Sequence, residues 1–185
     1  MTRYRYPHGI ENGAGERLTF ERLVAGGQGD RLEGTTFVEP GAGPPMHVHL
    51  LQAEGFTVEQ GRIGYQRPGE PPLFAGPGES IVFEAGEPHR FWNAGTEQLR
   101  CSAWIEPAHS AEYLLTELFA SARRNGGGRP SLFDAAFLMQ RYRSEYAFLA
   151  VPRPVRAIVL PVVVALGRML GRYDRFADAP EPVQR

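Results

Sequence analysis

The chain has 185 residues, enough for one domain with a sizeable core and short for two. Apolar residues make up 42% and charged residues 22%, ordinary values for a globular protein, and a net charge of −1 removes any electrostatic case for nucleic-acid binding. Every basic residue is an arginine, which excludes Schiff-base catalysis by lysine, and the single cysteine, Cys101, allows neither an internal disulfide nor a cysteine-rich zinc site.

The first sixteen residues read as an N-terminal arm. They lack the apolar stretch of a signal peptide, and no apolar run reaches the roughly 18 residues that span a bilayer. With one cysteine, the expectation is a cytoplasmic protein. Residues 17–106 alternate short apolar runs (17–25, 31–39, 56–60, 80–83 and 99–105) with turns rich in glycine and proline (26–27, 41–45, 68–72 and 76–78). Short strands at this spacing predict a mainly β sandwich or barrel.

From residue 107 the period changes to that of helices, which defines a helical extension over 107–176 and a tail over 177–185. Ala111, Leu114, Leu115, Leu118, Phe119 and Ala122 form a helical stripe that ends at Asn125-Gly126-Gly127-Gly128. Ser131 is placed as the N-cap of a second helix, with Asp134 at its third position, and this helix is expected to run towards Tyr146. A third helix is expected from Pro154. Its apolar face, Val155, Ile158, Val159, Val162, Val163, Leu166, Met169 and Leu170, is expected to pack against the β domain or a second subunit. Arg153, Arg156, Arg168, Arg172 and Arg175 occupy the other face, so contact of residues 153–175 with a membrane surface is a less favoured reading. Pro161 is expected to kink this helix at a cost of about 3 kcal/mol.

Three of the five histidines fall in two short segments. His47 and His49 are two apart on a strand and face the same way, Glu54 follows a short bend, and His89 starts a strand after the Gly86 turn. Three imidazoles and one carboxylate suit Fe, Mn, Ni, Co, Cu or Zn and do not suit Ca or Mg. Phe56, Val58, Tyr65, Phe91 and Trp104 are candidates for lining a pocket around such a metal. Gln52, Glu59, Gln66 and Arg90 lie near the motifs and read as solvated, His8 and His109 as surface or capping residues, and Cys101 as a small core residue.

The two segments resemble the paired signature motifs of the cupin superfamily. Gly41, His47, His49, Glu54 and Gly61 match the first motif at its spacing, and Gly78, Gly86, His89 and Asn93 match the second. The one departure is Glu84, where the family usually has a turn-stiffening proline. The resemblance covers roughly residues 17 to 106. It implies a cupin-type jelly-roll β-barrel, which the helical periodicity from residue 107 extends with about three C-terminal α-helices. It also implies one divalent transition metal (Fe, Mn, Ni, Cu or Zn) on His47, His49, Glu54 and His89. The activity it implies is dioxygenase-like or isomerase-like, on a small organic substrate, with Glu54 as a ligand or a base. The alternative is a non-catalytic module that binds a small ligand or sugar. Cupins often pair through barrel edges, and the third helix offers an apolar surface, so a homodimer is expected. The helical extension is also a candidate lid over the barrel mouth.

Overall fold

A computed structural model describes residues 4–184. Its β part is built on a six-stranded antiparallel sheet. The strands are β1 (His8–Glu11), β2 (Glu16–Ala25), β3 (Asp30–Val38), β4 (His47–His49), β5 (Ala53–Gln60), β6 (Ile63–Gln66), β7 (Leu73–Ala75), β8 (Ser80–Phe83), β9 (Arg90–Asn93), β10 (Leu99–Glu106) and β11 (Tyr146–Phe148). The large sheet has the order β1-β2-β3-β10-β5-β8, and two smaller sheets have the orders β7-β6-β9 and β11-β4. The residues expected to form an N-terminal arm thus supply β1, an edge strand paired with β2.

The smaller sheets join through the main chain. His47 and His89 exchange N–H···O bonds of 2.9 and 2.8 Å, and Asn93 N donates to Ala42 O at 3.0 Å. The result is two facing layers of open sheet. They do not close into a ring, and α1 (Ala111–Arg124) packs against β1 at the far end of the large sheet.

Strand β8 shows how the sequence builds these layers. Ile81 and Phe83 are buried while Ser80 and Val82 face out, as a period of two requires. Between the layers, Val38, Phe56, Val58, Ile63, Phe83, Phe91, Leu99 and Cys101 form one core. Ile10, Phe20 and Leu32 extend the large sheet's inner face beyond the smaller layer, and Leu115 and Phe119 of α1 cover them.

The two motif segments are shaped by their turns. Gly86 has φ +82° and donates its N–H to His49 O at 2.7 Å. Gly61 has φ +84°, and a Cβ there would lie 3.1 Å from Gln98 O. Both sites favour glycine for its access to the left-handed region. At Glu84 the missing proline is replaced by hydrogen bonds. Glu87 N donates to Glu84 O at 3.0 Å, and the Glu87 side chain accepts from Glu84 N at 2.9 Å and pairs with Arg67.

The helical extension departs from expectation in two places. Helix α2 (Leu132–Arg141) starts as expected, with Ser131 Oγ accepting from Asp134 N at 3.3 Å. It stops five residues short of Tyr146, because residues 146–148 leave the helical path and pair with β4 as β11. A π-helical turn (Val155–Val159) then leads into α3 (Leu160–Met169). The helical path is unbroken from residue 153 to Met169, so Pro161 lies inside it, and the π-helical turn immediately before it accommodates the ring and the missing N–H.

The face that α3 buries is also different. Leu160, Val164 and Gly167 are buried, whereas Ile158, Val159, Val162, Leu166, Met169 and Leu170 are exposed. The reason is close packing at Gly167, where a Cβ would lie 2.2 Å from Tyr173 Oη. The smaller, flatter side of α3 fits against α2 and the Phe137–Tyr173–Phe176 ring cluster, and the larger side chains are left outside.

Candidate metal centre

Strand alternation sends His47 and His49 to one side of β4 while Val48 is buried on the other. Glu54 lies on β5 opposite Phe83 of β8 and Ile105 of β10. His89 reaches the same point because its backbone is bridged to His47. One ligand atom from each of His47, His49, Glu54 and His89 lies within 4.8 Å of all the others. His49, Glu54 and His89 are buried, and His47 is half-buried at the cavity edge.

The hydrogen bonds around the rings decide which nitrogens face the cluster. His47 Nδ1 is 2.9 Å from Pro45 O, and His89 Nδ1 is 2.9 Å from Glu87 O. A carbonyl only accepts, so both Nδ1 atoms carry the proton and both Nε2 lone pairs point inward in the neutral rings. His47 Nε2 lies 3.1 Å from His49 Nε2, and His89 Nε2 lies 2.9 Å from Glu54 Oε2. Neighbouring ligand atoms held about 2.1 Å from one ion at right angles would be about 3 Å apart. The donor set, its burial and its spacing therefore fit a transition metal.

The electrostatics point the same way. Burial, followed by the neighbouring His49, pushes His47 down to about 3, and burial lowers His49 as well. Both are neutral at physiological pH, as metal ligation requires. Burial alone would raise Glu54, but His49 and the contact with His89 outweigh it and hold the carboxyl at about 2. The Phe83 ring stacks on His89 at 3.8 Å between centroids and fixes the plane of that imidazole.

The cluster opens into a cavity of about 1390 Å³ between the inner face of the large sheet and the helices. Phe56, Phe91 and Trp104 line it, together with Leu114, Leu118 and Met139 from α1 and α2. Val58 and Tyr65 do not line it; they belong to the core between the layers, where Tyr65 packs against Phe83. Asn93 ties the site's strands together, its Nδ2 donating to Val38 O and Glu97 O at 2.7 Å each.

Gln52 is fully buried, not solvated as the sequence suggested. Its Nε2 donates to Glu145 Oε2 at 3.1 Å and to Tyr146 Oη at 2.8 Å. Glu145 also accepts from Ser110 N and Oγ, at 3.2 and 2.8 Å, and from Val183 N at 2.9 Å. Tyr146 lies edge-on to His49 with centroids 5.1 Å apart, and Phe148 lies 6.4 Å from His47. These extension residues border the site and were missed from sequence. Their only local signal is the short alternation Tyr146-Ala147-Phe148 beyond a helical pattern. His8 is tied to Glu112 at 3.0 Å, and Cys101 is buried.

Comparison with known proteins agrees with this site. A model of the cupin domain family matches residues 34–106. The chain is 36% identical over 75 residues to Oxidoreductase iacF of Pestalotiopsis fici, covering 40% of this chain and 37% of that protein. It is 40% identical over 68 residues to Probable oxidoreductase virH of Hypocrea virens, covering 36% and 31%. The chain thus spans about a third of the length of the curated relatives it matches. Among solved structures, a predicted oxalate decarboxylase from Thermotoga maritima aligns with 22% identity and a TM-score of 0.43, over 54% of this chain and 90% of that one. A conserved protein with a double-stranded β-helix domain from Klebsiella pneumoniae aligns with 18% identity and a TM-score of 0.41, over 57% and 83%. Residues 34–106, which carry both motifs and all four clustered side chains, are thus the part of the chain that matches the cupin domain family.

Proposed function

We propose that His47, His49, Glu54 and His89 hold one divalent transition metal and that the chain is a metalloenzyme acting on a small, largely apolar organic molecule. The observation that carries this reading is the convergence of four ligand atoms within 4.8 Å, mostly buried, at the wall of an apolar cavity. Bound there, the metal supplies Lewis acidity and a template for oxygen ligands, which suits dioxygenase-like or isomerase-like chemistry. The chain's own residues do the rest. The His47 and His89 imidazoles are aimed by Pro45 O and Glu87 O. Phe56, Phe91 and the α1 and α2 side chains exclude water and orient the substrate. Glu54 is the carboxylate of the cluster and serves as the fourth ligand or as a base. In this reading the two strand layers over residues 17–106 are the halves of a jelly-roll barrel, and residues 107–176 form the cover of its open end. The oxidoreductase names of the two curated relatives support an oxidative reaction.

Elemental analysis of freshly purified protein tests the proposal, set beside a His47→Ala, His89→Ala double variant. The expected result is near-stoichiometric iron, manganese, nickel, copper or zinc that is lost in the variant. A wild-type protein that takes up none of these after reconstitution would overturn it. A Glu54→Gln variant that keeps its metal and loses turnover would assign Glu54 as the base.

A further inference from the structure

The outer side of α3 and of the π-helical turn before it is an apolar stripe. Ile158 is 66% exposed, Val162 62% and Met169 84%, with Val159, Leu166 and Leu170 beside them. Single exposed apolar residues are ordinary, but six on one continuous face are not. The charge around the stripe is one-sided. From residue 147 to 173 the chain carries Arg153, Arg156, Arg168 and Arg172 and no acidic residue; Asp174 follows only at the end. Several arginines on neighbouring elements do pair within the chain: Arg123 with Glu11, Arg124 and Arg175 with Asp134, and Arg141 with Glu181. Among the described residues, none of the four arginines around the stripe makes an ion pair.

We propose that this face docks on an anionic lipid bilayer, with α3 lying in the plane of the interface. The stripe enters the acyl boundary while the flanking arginines meet lipid phosphates. Among the described residues no helix is long and apolar enough to cross a membrane, and the proposed contact is interfacial. A second copy of the chain fits less well. Two-fold pairing of these faces would bring two sets of four arginines together with no acidic residue on the stripe to offset them. The docking face also continues into the cavity wall, since Ala150, Val151, Val155 and Leu160 line the cavity. An apolar ligand dissolved in the bilayer therefore meets the segment that borders the site.

The test is flotation of the full chain with large unilamellar vesicles of equimolar phosphatidylglycerol and phosphatidylcholine, compared with phosphatidylcholine alone. The expected result is co-flotation with the anionic vesicles only, reversed by high salt. The Arg168→Ala, Arg172→Ala pair should weaken binding about 25-fold at low ionic strength, at about fivefold for each arginine. Val162→Glu with Met169→Glu should abolish flotation and leave the circular dichroism melt and the metal content of the protein unchanged. That last control separates this proposal from the metal-site reading. A wild-type chain that stays out of both vesicle types would overturn it. So would a stable dimer that Met169→Glu dissociates and that does not float, which would assign the face to a second copy. Flotation that is indifferent to the arginines would refute the anionic partner.

Discussion

Glu145 should be the residue whose loss most clearly uncouples the helical extension from strand β4 of the candidate metal centre. Its carboxylate is fully buried, and no ion pair reaches it among the described residues. It is held instead by Gln52 Nε2, by Ser110 N and Oγ at the N-terminus of α1, and by Val183 N, at 2.8 to 3.2 Å. The helix end supplies partial positive charge and a free N–H, which compensates the buried anion. In Glu145→Ala the Ser110 hydroxyl can rotate, and Gln52 keeps its bond to Tyr146. Ser110 N is left without an acceptor, one donor of Gln52 is freed, and a small void remains. At about 1–3 kcal/mol for each buried donor, plus the void, the cost is about 4 kcal/mol. For a chain of this size that corresponds to a drop in melting temperature of about 8–16 °C. Glu145→Gln can keep an oxygen at the Oε2 position for Ser110 and Gln52 but turns its NH2 towards Val183 N, and should cost about half as much. The assay is urea unfolding followed by circular dichroism, with metal retention measured alongside. Because β11 pairs with β4, metal affinity should fall with stability. A loss below about 1 kcal/mol at an unchanged m-value would refute the argument, since it would mean that the buried donors are satisfied without the carboxylate.

Other outcomes follow from single contacts. Gly167→Ala should destabilise the protein by about 1–3 kcal/mol, because its Cβ would collide with the Tyr173 ring, and Tyr173→Leu should recover part of the loss in a double-mutant cycle of thermal melts. Cys101 is fully buried and its thiol is pushed up to about 12 by burial, so it should resist alkylation at pH 8 until the protein is unfolded; rapid labelling of the native chain would contradict this. Burial raises the Glu16 carboxyl, which means that the native state holds its proton more tightly than the unfolded state does. Its contribution to stability therefore declines as pH rises from the unfolded value through the folded one. Glu16→Gln, which can still accept from Asn12 Nδ2, should raise stability at neutral pH and leave it unchanged in acid; a loss at neutral pH would reverse this assignment.

The candidate site was legible early because its signal is dense and local. His47 and His49 share a strand face by the period of two, and Gly61 and Gly86 mark left-handed turns that little else tolerates. The first two helices were equally visible, since their stripes and the Ser131 cap are local features. The lining residues divided differently. Phe56, Phe91 and Trp104 reach the cavity while Val58 and Tyr65 do not, because apolar character marks burial but not which side of a sheet layer is hollow.

What the sequence determined by itself was the chemistry on offer: the donor set, the strand-and-turn rhythm, the absence of lysine, and the change of period at residue 107. What the tertiary structure decided was which partner each segment meets. Residues 146–148 left a plausible helix because pairing with β4 and burying the Glu145 carboxylate at the end of α1 outweigh two further helical turns. Helix α3 turned its larger apolar side outward because Gly167 lets Tyr173 approach only on the opposite side. The first result depends on contacts between residues far apart in the chain and the second on a close approach six residues further on, and neither leaves a periodic trace in the residues around its partners.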